Sequence, residues 1–149
     1  ACSAGSAVGQ RLATGSRSVL AARADSERAG EPRRPADLVE HEGVMASHLA
    51  DVWSFGCDGT EISVQVGGQI RFSAAEGIRA AVLADMGLTI ASDWMFADEI
   101  ASGAVQRVLV DWALPAIDLW AVYPSGRMAT AKARQFARFV ETIMHAVKV

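Results

Sequence analysis

A chain of 149 residues with 51% hydrophobic content is long enough to bury one ordinary globular core. Its formal net charge of −3 and pI near 5.6 argue against a chain-wide cationic surface for nucleic acid. No stretch is apolar for the length that a bilayer span takes, and the N-terminus lacks the basic-then-apolar layout of a secretory signal.

The chain opens on small residues from Ala1 to Ala7. The first five have the outline of a nucleophile elbow, but an elbow needs a strand before it, so a frayed terminus is the plainer reading. Arg17–Ala22 reads as a strand, and residues 24–29 as a short helix ending at Gly30. Pro35 suits the first position of a second short helix over 35–41. Residues 42–47 read as a short strand. Val52–Cys57 and residues 60–66 form a hairpin, with Asp58 and Gly59 as its two-residue turn.

Further on, Val64, Val66, Ile70 and Phe72 alternate with Ser63, Gln65, Gln69 and Arg71, the period of a strand with one buried face. Ser73 then fits a helix N-cap and Glu76 the third helical position, the spacing of a capping box. Ile78, Ala81, Val82 and Met86 make an apolar stripe, Gly87 suits the left-handed residue that ends the helix, and residues 88–91 form a buried strand. Asp93 is placed to cap a helix running to Ser102, with Gly103 stopping it. Residues 105–110 and Ile117–Tyr123 read as strands. Thr130 starts a last helix, on which Ala133, Phe136, Val140, Ile143 and Val147 share one face.

Alternating strands and helices define an α/β architecture. In such sheets ligands gather beyond strand C-termini, near helix N-termini whose free N–H groups attract polar groups. Ser73, Ala74, Ala75 and Glu76 therefore make one wall of a candidate small-molecule site, and Trp94, after a strand end, is placed to edge it. A plain capping role for Ser73 stays open beside ligand contact, and the charge of Glu76 weighs against a strongly anionic ligand. The other large aromatics, Trp53, Trp112 and Trp120, read as core or interface anchors. Cys2 and Cys57 match no disulfide framework or metal motif, which fits a reducing cytosol. His41, His48 and His145 are dispersed, and no phosphate loop or dinucleotide fingerprint is present, so no catalytic residue, metal ligand or cofactor is assigned.

Several segments, in order, resemble the effector-binding domain of LysR-type bacterial transcriptional regulators. Arg11 and Leu12 with Arg17 to Leu20 resemble the family's return strand, and Gly30, Pro32, Pro35, Asp37 and Leu38 its following turn and helix. Trp53 and Phe55, with Asp58 and Gly59 behind them, resemble its hairpin. Ala74 to Ala81, through Met86 and Gly87, are similar to its central helix. Trp112, Leu114 and Pro115, and then Ala121 to Ser125, resemble the approach to its last strand. Ala131 to Arg134, Phe136, Phe139 and Val140 resemble its closing helix. The chain departs from the family pattern at Ala21 to Ser26, where Asp25 and Ser26 stand at positions usually held by tyrosine and leucine. This turn is expected to pack less well.

The resemblance implies a two-lobed, type II periplasmic-binding-protein-like effector domain whose second lobe is nearly complete and whose first is incomplete. Residues 1–16 would be a remnant of the first lobe. Residues 17–114 would be the second lobe with its crossing strands, near Arg17–Ala22 and 108–114. Residues 115–149 would be the C-terminal strand and helix of the first lobe. Nothing resembles the family's winged helix-turn-helix, so the chain reads as the C-terminal part of a regulator. The implied function is non-enzymatic: sensing a small-molecule effector between lobes, in the cytoplasm, within a homo-oligomeric full-length protein. That protein would touch DNA only through a domain absent here, and no membrane is implied. In the family, effectors contact the helix start and a loop corresponding to residues 4–6; Ser6 matches the family's serine there, while Ala4 replaces a common aspartate. A solute-binding receptor of the same fold and, further off, a small α/β enzyme are the alternatives.

Overall fold

The computed structural model describes residues 8–68, 70–123 and 130–146. It divides into two compact units, one of Ser16–Pro115 and one of Ala1–Gly15 with Ala116–Val149, called here the core and terminal units.

In the core unit, β2 (Arg17–Ala22) lies between β7 (Thr89–Ser92) and β8 (Val105–Val108), antiparallel to both. β3 (Val44–Ala46) runs parallel to β6 (Ile70–Phe72). The Val44 N–H donates to the Leu88 carbonyl at 2.8 Å, and the Thr89 hydroxyl to the Val44 carbonyl at 2.8 Å, so β3 and β6 extend the sheet beyond β7. The run Val19 to Ala22 is buried without interruption because each face of β2 meets its own layer. Val19 joins Leu38, Trp53, Phe55 and Val66 on the hairpin side. Leu20 joins Val44, Ile78, Val82 and Phe96 on the helix side. That layer is built by α2 (Ala75–Leu83) and α3 (Ala97–Ser102). Burying each such side chain contributes roughly 1.5–3 kcal/mol.

The hairpin pairs β4 (Val52–Cys57) with β5 (Thr60–Gln65), closing on Asp58 and Gly59 at φ 48° and 78°, as its sequence predicts. α1 (Arg23–Ala29) ends at Gly30, and the helix expected from Pro35 is a 3-10 turn, Pro35–Glu40, that drives Leu38 into the core. Asp25 is buried and paired with Arg28 at 2.5 Å, whereas the buried Ser26 hydroxyl has no partner among the described residues. The turn that departs from the family pattern is thus only partly satisfied.

Four local expectations need correction. The single strand expected over 63–72 is two strands belonging to different ladders, broken at Gly67 and Gly68. A Cβ on Gly68 would lie 2.6 Å from the Met45 side chain and 2.7 Å from the Gly43 carbonyl, so this close approach requires glycine. Ser73 does not cap α2: the N-cap is Ala74, with no side-chain cap bond, and the capping box with Glu76 does not form. The helix ends at Leu83, with Asp85 at φ 57°, so Met86 leaves the buried stripe and is 45% exposed. Asp93 opens a 3-10 turn (Asp93–Phe96) before α3, and its carboxylate turns inward to accept from Arg107 Nε at 3.0 Å instead of capping.

In the terminal unit, β1 (Val8–Gly15) pairs antiparallel with β9 (Ile117–Tyr123) through a bulge between Arg11 and Ala13. Asp118 accepts from the Thr14 hydroxyl at 2.5 Å across the pair. α4 (Ala131–Ala146) packs on β1. Its one buried residue among those described is Ala137; Phe136 and Ile143, from the expected apolar face, are exposed, and Val147 lies outside the described residues.

Candidate functional site

The start of α2 follows directly from β6, at the C-terminal end of the parallel β3–β6 pair. The Ser47 N–H donates to the Phe72 carbonyl at 2.9 Å, tying the loop after β3 to the end of β6. Arg79, in the middle of α2, pairs with Glu99 on α3, and Arg71, on β6, pairs with Asp51. Ser73, Ala74, Ala75 and Glu76 are all exposed, and the first N–H groups of a helix have no intrahelical acceptor. Glu76 lies in the first turn of α2 and places its negative charge beside them. The arrangement suits a polar, uncharged or zwitterionic group better than a bare anion.

Trp94 stands on a different element, half-buried in the turn after β7. Ser6, with Ala4, lies outside the described residues. The structure thus brings Ser73 to Glu76 together and leaves Trp94 on a separate turn. Sequence reasoning missed the part-buried Asp93–Arg107 pair, whose members are separated along the chain and signalled by no motif. It also missed a cavity of about 290 Å³ in the core unit, lined by Arg17, Leu49, Val52, Trp53, Ile90 and Leu114 among others.

Among the described residues no nucleophile stands out. Partial burial, reinforced by the Asp58 and Asp111 charges, holds the Cys57 thiol above its usual pKa, the reverse of activation. Asp37, which accepts from the Arg34 side chain and the Arg33 N–H, is held below the ordinary carboxylate range in a capping role. Among the described residues no group of three or more His, Cys, Asp and Glu is placed to hold a metal ion. No helix among them is long and apolar enough to cross a membrane.

The fold has close counterparts. The regulatory domain of CrgA from Neisseria meningitidis superposes with a TM-score of 0.82 at 18% identity, over 97% of this chain and 72% of that one. The regulatory domain of AphB from Vibrio vulnificus gives 0.72 at 22% identity, over 93% of this chain and 69% of that one. The fold class is that of the periplasmic-binding-protein-like regulatory domains. The LysR substrate binding domain model matches residues 4–144, and the chain belongs to that family. An HTH-type transcriptional regulator of Xanthomonas campestris pv. campestris is 30% identical over 142 residues, covering 91% of this chain. PtxR of Pseudomonas aeruginosa, also an HTH-type transcriptional regulator, is 29% identical over 105 residues. The chain spans 41% of the first relative's length and 34% of the second's.

Proposed function

We propose that this chain is the effector-sensing module of a LysR-type transcriptional regulator. A small molecule held between two lobes shifts their angle or the packing of an oligomer. That shift changes how a DNA-binding domain, carried elsewhere in the longer protein, sits on its operator. The module performs no chemistry and acts in the cytoplasm. The observation that carries this reading is the family match across residues 4–144, supported by an exposed helix start without a side-chain cap at Ser73 to Glu76. Ser6 and Trp94 are the further effector contacts in this reading.

Amide NMR of the purified chain against a metabolite library tests it. The expected result is a saturable shift of the 73–76 amides by a ligand that is not turned over, together with no operator-selective DNA binding at physiological salt. Turnover of a bound ligand, or tight operator-selective binding by this chain alone, would overturn the reading.

A further inference from the structure

We draw no further inference here: the strongest candidate, the exposed apolar surface of the terminal unit at Phe136 and Phe139 on α4 and Trp120 and Val122 on β9, carries nothing because nothing in the structure shows what covers it.

Discussion

Two helices of this chain carry apolar stripes of similar design and meet different fates. α2 has nine residues and buries Ile78, Ala81 and Val82 against β2, β3 and β6. α4 has sixteen and buries Ala137, while Phe136 is 67% and Phe139 60% exposed. On the neighbouring strand β9, Trp120 and Val122 are 52% and 66% exposed. Helix formation needs suitable spacing, a cap and few helix breakers, and both segments have the spacing. Burial needs a partner surface, and the core unit offers layers on both faces of its sheet where the terminal unit offers a two-stranded ribbon. An amphipathic stripe thus reports the surface a helix is built to meet, and the distance between stripe and burial measures how much of that surface these residues supply.

The largest test of this contrast is a pair of truncations. Phe55→Ala, in a site 1% exposed, should cost about 3–5 kcal/mol in urea unfolding. Phe136→Ala should stay within about 0.5 kcal/mol, as surface changes do. Hydrogen exchange should correspondingly protect α2 more than α4. Comparable costs at the two sites would break the contrast and mean that the α4 face is covered in solution, which would show as a concentration-dependent midpoint.

A smaller effect belongs to Asp93. Its side chain is 6% exposed and accepts from Arg107 Nε, and its second oxygen, Oδ1, is buried without a partner among the described residues. Asp93→Ala strands Arg107, but that side chain is 32% exposed and can turn toward water. The cost should therefore be about 2 kcal/mol, below the 3–5 kcal/mol of a fully buried broken pair. A thermal melt showing no loss would place the pair among surface contacts, where its value is small.

Much of the fold was legible because its signals are local. Asp58 and Gly59 both take positive φ, which is what that dipeptide favours, and the flanking alternation sets the hairpin register. β2 and β9 fall where their apolar runs place them. The misses are non-local. Alternation across Gly67 and Gly68 continues as if through one strand, yet the break is dictated by Met45 and Gly43, distant in sequence. Asp93 after a strand looks like a cap, and only the return of β8 beside β2 brings Arg107 to it. The candidate helix start at Ser73 to Glu76 was legible as a position, between β6 and α2, but its hydrogen bonding was not. The Arg17 cavity was invisible because its walls come from separate segments of the chain.

The smallest prediction turns on two helix starts that look alike in sequence. Thr130 precedes α4 and Ser73 lies near the start of α2, each a hydroxyl residue before an apolar stripe. At α4 the Thr130 hydroxyl accepts the Ala133 N–H at 3.2 Å, one of the four amides a helix start leaves unpaired. At α2 the N-cap is Ala74, and Ser73 falls one residue too early to reach the same amides. Thr130→Ala should therefore cost about 1 kcal/mol of local helix stability, read from exchange of the first α4 amides. Ser73→Ala should change the stability of the core unit by no more than a few tenths of a kcal/mol. The contrast also separates structure from binding. Because Ser73 does not hold the helix, any loss of effector affinity in a fully stable Ser73→Ala chain would come from a direct contact. A destabilised Ser73→Ala would instead show that its hydroxyl caps α2 in solution, and would return Ser73 to a structural role.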